Sequence, residues 1–99
     1  MSADSEPVAL KLLDREFLVA CSEQERPGLL AAAALLDAKM RELRAASRTP
    51  GFDRLAVLAA LSLTHELVDL RQRHAVQERV LSEGLAALRQ RLQAALDPG

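Results

Sequence analysis

Residues 51–96 read GFDRLAVLAALSLTHELVDLRQRHAVQERVLSEGLAALRQRLQAAL, with no proline among them. A helix of about 45 residues at 1.5 Å per residue is about 65 to 70 Å long, twice the width of a small domain. The residues before it form a small head that the far half of the helix cannot reach. That half needs another helix against which to bury its apolar stripe, and the chain offers no third long one. The expected partner is a second copy.

Within this stretch Leu55, Leu58, Leu61 and Val68, with Ala59 and Ala60 between, make a broad apolar face read as the core of the head. Farther on, Leu63, Leu67, Leu70, His74, Gln77 and Leu81 alternate spacings of four and three. Leu81, Leu85, Leu88, Leu92 and Ala95 continue the seam after two fours in succession. The extra residue relaxes left-handed supercoiling, and His74 and Gln77 put polar groups in the seam, so this middle segment is expected to be the weakest. A dimer should therefore dominate over a larger assembly on dilution. Gly84, costing about 1 kcal/mol relative to Ala in a helix, is read as room for a facing helix.

Working upstream, Ser47, Arg48, Thr49, Pro50 and Gly51 form a compact connection between antiparallel helices. Phe52 then opens the long helix, either as a staple against the preceding helix or as an anchor for a partner. The first helix is expected from about Gln24 to Ala46. Its stripe is Leu29, Ala33, Leu36, Met40 and Leu43, with Asp37, Lys39, Arg41 and Arg44 toward solvent. Ser22, Glu23 and Glu25 suit its start, and Pro27 is harmless in the first turn.

Residues 8–13 (VALKLL) and 16–21 (EFLVAC) alternate as two short strands, with Val8, Leu10 and Leu12 on one face and Phe17 and Val19 together. Asp14 and Arg15 form the two-residue connection, which makes a hairpin. A lone hairpin is marginal in water, so the helices, a partner hairpin or both must cover its apolar face. Cys21 ends the second strand as a small, partly buried residue or, less simply, a redox group.

The expected fold is α+β and mostly α: a hairpin, a short amphipathic helix and a long helix extending into a coiled-coil stalk, in an oligomer. Residues 1–6 form a disordered arm, 7–70 the head, 71–96 the stalk and 97–99 a tail. With the stalk set aside, about 65 to 70 residues remain, a size at which folding alone is marginal.

Apolar residues are 49% of the 99 but aromatics only 2%, a composition suited to helix packing rather than a ligand pocket. A net charge of -1 with both signs interspersed supplies no basic field, so nucleic acid and acidic membrane surfaces are not expected partners. A single cysteine excludes an internal disulfide, and no signal segment or long apolar run is present, so a cytoplasmic protein is expected.

His65-Glu66 begins like the zinc motif His-Glu-x-x-His, but Asp69 occupies the second histidine's place. His65 and His74 fall about 180° apart on one helix and cannot share a metal within a chain. No phosphate loop, no nucleophile elbow and no Cys and His pair suggests catalysis. No enzyme activity, cofactor or metal site is expected.

Three segments in order, LLDREFLVAC, ALLDAKMRELR and GFDRLAVLAALSLTHEL, resemble the ZapA family of small cytosolic bacterial proteins that associate with the FtsZ cell-division ring. The similarity runs over about residues 8–70, with a looser helical tail. It implies dimers formed through the heads, stalks pairing antiparallel into a tetramer, and heads that bind and cross-link FtsZ protofilaments at the mid-cell ring. Carried over by residue, the turn arginine falls on Arg15 and the acidic opening of the second helix on Asp53, followed by Arg54. Phe52 joins these as the candidate FtsZ-binding group; Leu81, Leu85, Leu88 and Leu92 are the candidate oligomerisation seam. Simple solvation of Arg15 and dipole stabilisation by Asp53 are the structural alternatives. The chain departs from the family pattern at Asp14, where Gly is common, at Phe52, where a small polar residue is common, and at Leu18, basic in some relatives.

Two other readings compete. A small all-helical dimeric enzyme of the chorismate mutase kind would need a third helix and an inward-facing basic cluster. A coiled-coil adaptor for another cytosolic partner would share the fold and differ only in what it binds.

Overall fold

The computed structural model describes residues 5–48 and 51–97, ordered β1 (Ser5–Leu12), β2 (Arg15–Ser22), α1 (Arg26–Ala46) and α2 (Phe52–Leu96). The expectations for residues 1–4, for Thr49 and Pro50, and for Pro98 and Gly99 lie outside the described residues. The chain divides into two compact units, Met1–Thr64 and His65–Gly99.

β1 and β2 pair antiparallel, with Val8 opposite Val19, Leu10 opposite Phe17 and Leu12 opposite Arg15. Because side chains alternate, Val8, Leu10, Leu12, Phe17, Val19 and Cys21 share one face, and Leu10 and Cys21 are buried there. The other face carries small and charged residues, with Leu18 exposed among them. β1 begins at Ser5, so Ser5 and Glu6, expected in the arm, instead pair with Ser22 and Cys21. Pairing satisfies backbone groups that an arm would leave to water, and the Glu6 carboxylate meets Arg26 at 3.6 Å.

The hairpin turn lies one residue earlier than the sequence suggests. Leu13 and Asp14 form it, and Arg15 is the first residue of β2. Leu13 has φ 57°, at the first central position, where a two-residue II′ turn ordinarily takes Gly. For a leucine that conformation costs about 1 to 2 kcal/mol. Burial decides the matter, since placing a leucine side chain in a core contributes about 1.5 to 3 kcal/mol. Leu13 packs with Met40, Leu55 and Ala59 in the buried cluster.

Helix α1 reinforces the turn from outside. The Leu13 N–H donates to Asp37 Oδ1 at 2.6 Å, and its carbonyl accepts from Arg41 Nη2 at 3.4 Å. Arg41 Nε also donates to Asp37 Oδ2 at 2.9 Å. Asp37 and Arg41, expected toward solvent, thus tie α1 to the hairpin. The Leu13 N–H, and after it the Arg41 guanidinium, hold the Asp37 carboxyl below its usual pKa.

Before α1, Ser22 Oγ accepts the Glu25 N–H at 3.2 Å and donates to the Glu25 carboxylate at 3.0 Å. This reciprocal Ser-x-x-Glu pair bends the chain out of β2, and Pro27 falls in the first turn, where its missing donor costs nothing. The expected stripe Leu29, Ala33, Leu36, Met40 and Leu43 is the covered face of α1, with Met40 fully buried. From α2, Phe52, Leu55, Ala56 and Ala59 complete the core.

The broad α2 face read as core is only partly covered. Leu58 and Val68 are exposed and Leu61 is 63% exposed. At about 100° per residue, Leu61 falls nearly opposite the stripe of Phe52, Leu55 and Ala59, so one packing contact cannot cover both. In the second unit, Arg73 pairs with Asp69 and His74 with Glu78, each at 3.0 Å and four residues apart along α2. A Cβ built on Gly84 meets nothing within 4 Å.

Two outcomes test the turn. Leu13→Ala should lower stability by about 2 kcal/mol or more, and Leu13→Gly should cost about 1 kcal/mol less than Leu13→Ala because it releases the backbone strain. Urea unfolding of both variants reads this order. Because folding lowers the Asp37 pKa, its contribution is complete above the unfolded value and is lost as pH falls through the folded one, below about pH 4. Asp37→Asn should cost about 1 kcal/mol at pH 7, and its unfolding midpoint should fall less than the wild type's between pH 5 and pH 3.

Candidate functional site

Placing Arg15 at the start of β2 sets it two residues from Phe17, on the same face of the hairpin. Phe52, the first residue of α2, packs on the core from the other side. The three meet at one corner of the first unit. Arg15 Cζ lies 4.3 Å from the Phe52 ring centroid, and the Phe17 and Phe52 rings stack with centroids 5.8 Å apart and planes at 29°. Both distances fall within the ranges for attractive cation–π and offset aromatic contacts.

Of the four candidate binding residues, Arg15 and Phe52 are therefore in contact, and Phe52 contacts the hairpin as well as the core. Asp53 and Arg54 follow on the first turn of α2 and are exposed. Asp53 complements the helix N-terminus, and the Gly51 carbonyl accepts the Leu55 N–H at 3.0 Å to open the helix. No ion pair joins Arg15 to Asp53 among the described residues. Phe17, read only as part of a strand's apolar face, was missed as a site residue. The available signal was its spacing of two from Arg15, which places both on one face.

This corner suits recognition. A guanidinium lying over a ring keeps its in-plane N–H donors free for a carboxylate. Among the described residues no group of three or more His, Cys, Asp or Glu gathers as metal ligands would. The chorismate mutase reading is corrected here, because the described chain opens with two paired strands rather than a helix.

The seam residues Leu81, Leu85, Leu88 and Leu92 lie on α2 in the second unit, with 49 to 63% of each exposed. Shallow grooves beside them are lined by the same helix, as at Glu78, Leu81, Leu85 and Arg89. The first unit also leaves apolar surface open: α1 packs on β1, while Phe17 and Val19 of β2 stay over a third exposed. No helix is long and apolar enough to cross a membrane among the described residues.

The family model for "Cell division protein ZapA" matches residues 8–92, from within β1 to the last leucine of the seam. Cell division protein ZapA of Pseudomonas aeruginosa is 36% identical over 95 residues, covering 96% of this chain and 85% of that protein. Proteins of the same name from Erwinia tasmaniensis and Serratia proteamaculans are each 25% identical over 92 residues, covering 93% of this chain and 84% of each relative. A solved structure described as an unknown conserved bacterial protein from Pseudomonas aeruginosa superposes with a TM-score of 0.72 at 36% identity, over 91% of this chain and 99% of that one. With most of the hairpin, all of α1, most of α2 and the seam inside the matched span, the chain belongs to the ZapA family of cell-division proteins.

Proposed function

We propose that this protein binds FtsZ protofilaments through its first unit and bundles them as a homo-oligomer, in the cytoplasm at the mid-cell division ring. The mechanism is bivalency, without catalysis or a cofactor. Two weak contacts on one assembly raise the effective concentration of the second contact, so avidity can exceed either affinity by about two orders of magnitude or more. The observation that carries the reading is the corner where exposed Arg15 lies over the half-buried Phe52, followed by exposed Asp53 and Arg54, in a member of a cell-division family. The open leucine seam supports self-association: dimers through the heads, and tetramers through antiparallel stalks. A head that runs to residue 70 and a stalk of residues 71–96 are the corresponding functional divisions.

Co-sedimentation with GTP-polymerised FtsZ from the same organism tests the contact. Wild type should pellet with bundles, and Arg15→Ala or Asp53→Ala should reduce pelleting severalfold with solution mass unchanged. Failure of an intact wild-type oligomer to pellet would reject FtsZ and favour an adaptor role for another partner.

Leu88→Glu, which places a charge in the seam, should halve the mass of the tetramer while the first unit stays folded. The resulting dimer should bind single filaments yet bundle them poorly. Unchanged mass by light scattering would remove Leu88 from the interface.

A further inference from the structure

We infer that Phe52, backed by Phe17, is a positioning residue: its ring holds the Arg15 guanidinium in the plane and direction in which it grips a carboxylate of FtsZ. This rests on the proposed FtsZ contact and adds how the arginine is prepared for it. Arg15 has its backbone fixed by pairing with Leu12, next to a turn that Asp37 anchors. Its side chain is exposed, and its contact among the described residues is the Phe52 ring at 4.3 Å.

The ring is itself held on two sides, by the core cluster and by Phe17 at 5.8 Å. Arg41, by contrast, already spends its donors on Asp37 and the Leu13 carbonyl, and Arg26 meets Glu6. Arg15 differs from both: a ring holds it, and no described carboxylate pairs with it. A free arginine loses much rotamer freedom when it pairs, and stacking removes part of that loss beforehand. Arg15 Cζ lies over the ring while no described carboxylate pairs with its guanidinium, whose N–H donors a planar carboxylate fits bidentately.

The experiment measures FtsZ affinity for wild type, Arg15→Ala, Arg15→Lys, Phe52→Leu, Phe52→Tyr and the double variant Arg15→Ala/Phe52→Leu, with thermal unfolding of each. Alongside, NMR of the free protein records the Arg15 Nε–H shift, which the ring current should move upfield in wild type and which Phe52→Leu should abolish. Phe52→Leu should weaken binding about two- to fivefold, Phe52→Tyr should bind as wild type, and Phe52→Leu should add no further loss once Arg15 is Ala. Arg15→Lys, which keeps the charge and loses the plane, should bind nearly as poorly as Arg15→Ala.

Equal losses from Phe52→Leu with and without Arg15 would overturn the inference, since Phe52 would then act independently of the arginine. Wild-type affinity in Arg15→Lys would overturn it too, and that variant keeps the test readable if Phe52→Leu melts the head. Absence of binding by folded wild type would instead reject the FtsZ contact itself, and the inference with it.

Discussion

A leucine held in a left-handed turn is the constraint on which the head depends. Leu13 adopts a backbone conformation suited to glycine because its side chain completes the cluster of Met40, Leu55 and Ala59. Asp37 and Arg41 then seize its N–H and carbonyl. Each partner lies more than twenty residues away, so the turn is a tertiary feature rather than a local one. It fixes the register of the hairpin, and that register makes Arg15 the first residue of β2, on the face that Phe17 shares.

The corner at Phe52 follows from the same constraint. Were the turn one residue later, Arg15 would stand in the turn itself and lose the pairing with Leu12 that fixes its backbone. Recognition in the proposed function thus depends on packing chemistry at a distance, through α1 and the hairpin. The second unit contributes differently. Its leucines are a repeated pattern on one helix, tolerant of local detail, and their proposed role is to multiply a contact whose geometry the first unit sets.

Periodicity made the helices legible. The α1 stripe from Leu29 to Leu43 and the limits of α2 were readable because spacings of three and four recur without proline in the interior. The turn was not, because Asp14 and Arg15 are polar and Leu13 looks like the end of a strand. Only a bond across 24 residues reveals why a leucine occupies that place. Asp37 and Arg41 were read as solvated for the same reason: a helix pattern says which way a side chain leaves the helix, and says nothing of a loop waiting there. Apolar breadth on α2 overstated the core, since Leu58 and Leu61 are exposed in the single chain. For the site, Arg15, Asp53 and Arg54 were named from resemblance and Phe52 from its place at the opening of α2, but the contact of Arg15, Phe52 and Phe17 depends on the fold.

That stack has an optical consequence. The protein contains no Trp and no Tyr, and its two Phe are the pair in contact. Near-ultraviolet circular dichroism, which reports aromatic groups in fixed asymmetric surroundings, therefore originates at a single place. The weak vibronic bands of phenylalanine serve as an intrinsic, label-free reporter of the junction between β2 and α2. Their loss while the far-ultraviolet helix signal persists marks the separation of these two elements, with no probe introduced and no background from the long helix.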